Sequence, residues 1–328
     1  MAKVFKLFIA TLLALVFTLA ITYTTIILPR LLDRSLKTIY PDLFYHPEFG
    51  SMEEFVNQVR PLGYASFLLV LAMIIIGFVS NKKGIISVGT VAFFLPIFAS
   101  FAYSMFFMAG LGIMRVLWLP LIDLYPGILR FGDIAMVPAI PILVLNNLFP
   151  LGFERIWLSI TLVGLAVFFV GVVTWLYAKL EGRDVISFWV YRYSRHPQYL
   201  GLIVMSYGLM LGAGRIDIMG FQATQSFSWF ISTTQSFPWV ISTLIVVCVA
   251  FTEEIEMLRK HDKSYEEYRA KTPFMLPLPG FVSRILTAPA RRFLGNDLPT
   301  SRRRVAYFFI LYCITSAVLS LPFMLVFP

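Results

Sequence analysis

The chain has 328 residues, 59% of them hydrophobic and only 14% charged, with a mean hydropathy of +0.80. A water-soluble domain carries about a quarter of its residues as charges, so this composition excludes a soluble globular protein and indicates a polytopic membrane protein. The formal net charge of +9 bears on membrane orientation and anionic lipid, and no nucleic-acid partner is expected from it.

Lys3 and Lys6 precede an apolar run from Leu7 to Leu28. That run outlasts the apolar core of a secretory leader, about 7–15 residues, and lacks a small-x-small cleavage site, so it is expected to be retained as a first span over roughly 5–28. Further spans of roughly 20 apolar residues are expected at 62–79, 85–104, 133–150, 156–178, 199–214, 237–252 and 305–327. The stretch 105–122 is interrupted by Arg115 and reads either as a ninth span or as an interfacial segment. The loop 29–61 holds four basic and five acidic residues, a net of −1, whereas 255–304 holds eleven basic and five acidic residues, a net of +6. Positive loops stay in the cytoplasm. Lys82, Lys83 and the basic 179–196 loop join 255–304 on that side only if 105–122 also crosses. The expectation is an all-α transmembrane bundle of eight to nine spans, nine being favoured, with the N-terminus inside. Three regions follow: an N-terminal bundle over 1–150, a region bearing chemistry over 151–280, and a basic juxtamembrane segment with the last span over 281–328.

Several features carry no chemistry of their own. Residues 224–233 and 234–243 form a tandem ten-residue duplication identical at eight positions, which lengthens a loop; one repeat is too few for a solenoid. Cys248 and Cys313 sit in apolar runs as small hydrophobes. His46, His196 and His261 are too scattered for a metal site, and none is expected. Arg291, Arg292, Arg302, Arg303 and Arg304 form a basic cluster before the last span, a topology signal that also suits anionic lipid headgroups. No protein partner is expected.

Two polar stretches bracket the hairpin of spans 199–214 and 237–252. The first is Arg195-His196-Pro197-Gln198-Tyr199-Leu200-Gly201; the second starts at Thr252-Glu253-Glu254 and includes Tyr265 and Tyr268. A helical hairpin returns to the membrane face it left, so both stretches should meet at the cytoplasmic surface. Arg195 suits a carboxylate and a glutamate suits an ammonium, which fits a ligand bearing both charges. Pro197 disfavours helix at His196, whose ring and backbone are expected to be free for binding. Gly201 admits a close backbone or ligand. Tyr193, Tyr199, Tyr265 and Tyr268 offer ring faces to an adenine or a sulfonium.

R-H-P-Q-Y-L-G resembles the R-H-P-x-Y-x-G signature of the integral-membrane methyltransferases that include isoprenylcysteine carboxyl methyltransferases and phospholipid methyltransferases. The paired Glu253-Glu254, the Tyr265/Tyr268 pair and Pro273 and Pro277 match the downstream half, so the resemblance covers roughly 157–280. It implies S-adenosylmethionine as methyl donor at the cytoplasmic face and a lipid-like acceptor, a prenylcysteine carboxylate or phospholipid amine, arriving from the bilayer. It implies that Arg195, His196, Tyr199, Gly201, Glu253, Tyr265 and Tyr268 bind the cofactor, and that Glu253, Glu254 and Arg195 serve the reaction. The chain departs from the family pattern at His261-Asp262, where an aromatic–glycine pair is usual. Membrane sterol and steroid reductases, which use NADPH, have a comparable R-H-x-x-Y-x-G segment and form the alternative, though Leu202 stands where they commonly carry an acid. A transporter is disfavoured by the lack of mid-span carboxylates and broken helices in paired positions.

Overall fold

The computed structural model describes residues 2–27, 31, 49–98, 117–141, 156–219, 236–276, 278–295 and 298–326. Among the described residues the protein is all-helical, without a strand. The helices are α1 (Ala2–Thr22), which runs on into a π turn Tyr23–Ile27, α2 (Phe49–Ser80), α3 (Lys83–Phe98), the short α4 (Leu119–Leu124), α5 (Ile156–Leu180), α6 (Pro197–Met219), α7 (Ser236–Lys271), α8 (Gly280–Leu294) and α9 (Arg302–Val326). Short 3-10 segments occupy Pro126–Arg130, Asp133–Ala139 and Trp189–Arg192.

Among the described residues five helical segments are long and apolar enough to cross a membrane: Lys3–Thr25, Arg60–Ser80, Ile156–Leu180, Ser236–His261 and Arg302–Leu325. They coincide with the spans expected at 5–28, 62–79, 156–178, 237–252 and 305–327. Their flanks expose side chains such as Leu12, Ile76, Val163 and Ile314, as lipid-facing surfaces do. The span expected at 85–104 begins on the shorter apolar α3, with 99–104 outside the described residues. The span expected at 199–214 lies within the 23-residue α6.

The described part of the span expected at 133–150, residues 133–141, departs from expectation. It opens as a 3-10 segment, with Pro138 inside it and Asp133 fully buried. Pro138 has no N–H to give a helix, and Asp133 is held by Arg130 Nε at 3.0 Å and Ser236 Oγ at 2.6 Å. Residues 142–150, most of 105–122 and the first copy of the duplication lie outside the described residues; the second copy leads into α7 from Ser236.

The chain divides into two compact units. One gathers Met1–Ile21, Ile156–Gly208 and Thr243–Thr315; the other gathers Thr22–Arg155, Leu209–Ser242 and Ser316–Pro328. In the second unit, Arg60 reaches Asp123 at 3.1 Å, and Tyr64 donates to the same carboxylate at 3.1 Å. The first unit carries the residues singled out above. Its framework is a close crossing of α5 and α6: a Cβ built on Gly201 would lie 2.4 Å from the Phe168 backbone N, and one on Gly164 would lie 2.2 Å from that of Met205. Small residues let the two backbones approach, the device by which membrane helices associate without help from water. Ala14 of α1 packs on Phe168 and Val172, and Lys6 pairs with Glu181 at 2.8 Å, so the first helix belongs to the same body. The hydrogen bond from Lys6 holds the Glu181 carboxyl below its usual range.

Candidate active site

Pro197 occupies the first turn of α6, where a missing N–H costs nothing and a fixed φ helps. The residues ahead of it are therefore kept out of the helix and turned back on it. The Arg195 N–H donates to the Pro273 carbonyl at 3.1 Å, and the His196 N–H to Ser194 Oγ at 3.3 Å. Just upstream, Trp189 adopts φ 49 and stacks on Tyr177 with centroids 5.2 Å apart.

Glu254 is the hub. Its side chain is 4% exposed, and Arg195 Nη1 sits 3.1 and 3.2 Å from its two oxygens. His196 Nε2 is 3.2 Å from Oε1, and Arg269 Nε is 3.5 Å from Oε2. One carboxylate thus receives two guanidinium groups and an imidazole. The neighbouring Glu253 lies at the rim with 28% of its side chain exposed; Tyr199 donates to its Oε1 at 2.8 Å, and His196 Nδ1 is 3.9 Å from its Oε2. Successive helix positions differ by about 100°, which is why two adjacent glutamates divide into one inward and one outward group.

The contact between Arg269 and Glu254 fixes the shape of α7. Fifteen residues along a straight helix span about 22 Å, far more than the two side chains can bridge. The helical run must therefore fold back between Glu254 and Arg269. Ser264 lies in that interval and donates to the His261 carbonyl at 2.9 Å, competing with the backbone ladder at the point where the sequence departs from the family pattern. The fold-back brings Tyr265 and Tyr268 into the site, 5% and 9% exposed, and Tyr268 OH donates to the Tyr191 carbonyl at 2.7 Å. Burial raises the pKa of both phenols. The following strap lays Phe274 against the motif: its ring meets His196 edge-on at 5.2 Å, stacks on Phe251 at 4.5 Å, and lies 5.6 Å from the Arg195 guanidinium.

The residues expected to bind or react, Gly201 and the 64% exposed Tyr193 excepted, thus meet in one cluster. Gly201 is spent on the α5 crossing, since any side chain there strikes the Phe168 backbone. His196 is not free: its ring is 8% exposed, held between Glu254 and Phe274 and stacked on Tyr199. Arg269, Phe274 and the Pro273 carbonyl are members of the cluster that sequence reasoning does not find. Arg269 follows Tyr268 directly and is one of many basic residues in its segment; only the fold-back distinguishes it.

The chemistry of the cluster is that of a braced, buried set of ion pairs. Burial lowers the Arg195 pKa and Glu254 partly offsets it; the guanidinium remains charged. Its Nε is buried and has no hydrogen-bond partner among the described residues. An orphaned buried donor is costly, and this one fits a ligand acceptor such as a carboxylate. Glu253, at the rim of the same cluster, presents the opposite charge. No family model matches the chain, and neither a curated protein nor a solved structure does. The functional reading accordingly rests on these side chains and on the motif resemblance.

Proposed function

We propose that the chain is a multi-pass membrane methyltransferase that uses S-adenosylmethionine at the cytoplasmic face, within a bundle of eight to nine spans, to methylate a lipid-like acceptor. The observation that carries this reading is the meeting of Arg195 and His196 with Glu254 across 59 and 58 residues of sequence, with Tyr265 and Tyr268 folded in beside them. These are the two halves of the motif that the sequence resembles. The cytoplasmic placement follows from the charge asymmetry of the loops.

The residues present fit the cofactor's zwitterionic end. Arg195 Nε is an unpartnered buried donor suited to its carboxylate, and Glu253 at the rim suits its ammonium. When bound, S-adenosylmethionine supplies a methyl group whose bond to sulfur breaks with the electron pair left on sulfur, giving a neutral thioether. Glu254 acts by holding Arg195, Arg269 and His196 act by bracing the Glu254 carboxylate, and together they close the floor of the site to water, so that alignment and desolvation lower the barrier. Tyr199 orients the Glu253 carboxylate through its 2.8 Å bond. A carboxylate acceptor attacks with its own lone pair and needs no base. An ammonium acceptor must first give a proton to a base.

Thermal unfolding of the detergent-solubilised protein tests the assignment. A ligand at 100 times its Kd stabilises by about 2.7 kcal/mol, or roughly 5 °C for a chain of this size. Stabilisation by S-adenosylmethionine or S-adenosylhomocysteine is expected; stabilisation by NADPH alone would transfer the site to the reductase class. Transfer of a labelled methyl group, screened over prenylcysteine, phospholipid, thiol and sterol acceptors, then identifies the substrate.

A further inference from the structure

The helix α8 is not used by the site, and its surface is two-faced. Phe281, Ile285, Leu286 and Phe293 are 61%, 67%, 53% and 69% exposed. At 100° per residue they fall within one arc of the helix, together with Pro289. Arg284 and Arg291, seven residues apart, line one border of that arc, and Arg292 emerges within it; the helix contains no acidic residue. Just past the Leu286 edge of the arc Ala290 is fully buried, and the Leu286 carbonyl accepts a 2.6 Å hydrogen bond from Tyr312 of α9. Gly295, at φ 74, ends the helix cleanly, and the membrane-crossing α9 begins seven residues later with Arg302, Arg303 and Arg304.

We infer that α8 lies in the plane of the membrane interface, with its apolar arc among the acyl chains and its arginines bound to anionic phospholipid headgroups. Three features on the same body fix the occupant. The face is continuous through the Tyr312 contact with α9, whose Tyr307, Ile310 and Ile314 are themselves exposed as on a lipid-facing span. Bulky aromatic and aliphatic residues on one side with arginines at the border are the composition of helices that settle between headgroups and acyl chains. The charge on α8 and at the start of α9 is of one sign, six arginines against no acid within either helix, and such a cluster attracts acidic lipid. This placement depends on membrane insertion alone and stands apart from methyl transfer.

The test uses the full chain with Cys248→Ala and Cys313→Ala, carrying a bimane fluorophore at Ile285→Cys, in nanodiscs of zwitterionic phospholipid with a fixed minor fraction of anionic phospholipid. Bromine is placed on the acyl chains of either lipid at equal mole fraction. Burial in the interface predicts quenching by both brominated lipids, stronger for the anionic one by a few-fold. Adding Arg291→Glu and Arg292→Glu, or raising the salt to about 1 M, is expected to remove that excess and leave the zwitterionic quenching in place. Equal quenching by the two lipids would overturn the anionic preference. No quenching by either would overturn the in-plane placement and indicate that protein covers this face.

Discussion

Replacing Glu254 by Gln isolates the hub of the site. The change keeps the size of the side chain and removes its charge, leaving the Arg195 guanidinium, 3% exposed, without its carboxylate in a place that water does not reach. Removing one partner of a buried ion pair costs about 3–5 kcal/mol, because the remaining charge stays buried. Glutamine keeps one carbonyl acceptor, so the lower end applies, about 3 kcal/mol. At about 2 °C per kcal/mol for a large chain, the unfolding midpoint should fall by roughly 6 °C, measured at a fixed scan rate in one detergent. A rescue is also expected. With Glu254→Leu and Arg195→Met together, both charges leave the interior, and buried pairs exchanged for apolar groups are commonly neutral or stabilising. At least half the lost midpoint should return. A Glu254→Gln protein that unfolds within about 1 °C of the parent would refute the view that this pair is a buried brace.

Other substitutions probe the frame around the hub. Gly201→Ala puts a methyl group 2.4 Å from the Phe168 backbone N, so α5 and α6 must separate; a loss of about 1–3 kcal/mol is expected in the same unfolding assay. Tyr268→Phe strips the Tyr191 carbonyl of its buried donor and should cost about 1–2 kcal/mol, with far-ultraviolet circular dichroism unchanged. Tyr265 and Tyr268 have folded-state pKa values raised by burial above the ordinary 10.0. Their contribution to stability is therefore complete below pH 10 and is lost as pH rises through the raised values. Phenolate absorbance should show a group of tyrosines, Tyr265 and Tyr268 among them, that titrate at the ordinary pH only after denaturation.

The helices and the hairpin are legible in the sequence because their signals are local. Twenty apolar residues make a span wherever they stand, and the placing of Arg195–Gly201 and Glu253–Glu254 at the two ends of a hairpin obliges them to meet. What escapes is the consequence of tertiary geometry. Nothing in His261-Asp262-Lys263-Ser264 announces a fold-back, since each residue is tolerated in a helix, yet the return of Arg269 to Glu254 requires one. Pro197 excludes His196 from the helix and so suggests a free ring and backbone; the exclusion holds, but the His196 N–H donates to Ser194, its carbonyl accepts from Leu200, and the ring is delivered into a wall built by Phe274, 78 residues away. Gly201 stands out in the sequence as a point of close approach, and only packing decides that the neighbour is the backbone of α5. Asp133 illustrates the same limit: a lone acid in an apolar stretch reads as part of a span until Arg130 and Ser236 are found holding it.

The paired glutamates then acquire separate meanings that the sequence alone presents as one motif. Glu254 faces inward and already meets three basic groups, so a ligand ammonium would have to displace one of them and leave a buried charge unmatched. Glu253 is 28% exposed, so a cation meeting it does not have to displace Arg195, Arg269 or His196 from Glu254. Under the proposed function, the physical cost therefore favours Glu253 for ligand binding and Glu254 for bracing. Glu253→Gln should leave the unfolding midpoint within about 2 °C of the parent, a partly exposed hydrogen bond being worth about 1 kcal/mol, while abolishing the stabilisation by S-adenosylhomocysteine. Glu254→Gln should lower the midpoint and retain a measurable stabilisation by the same ligand. Reversal of that pattern would show that the inward carboxylate, and not the rim carboxylate, meets the cofactor.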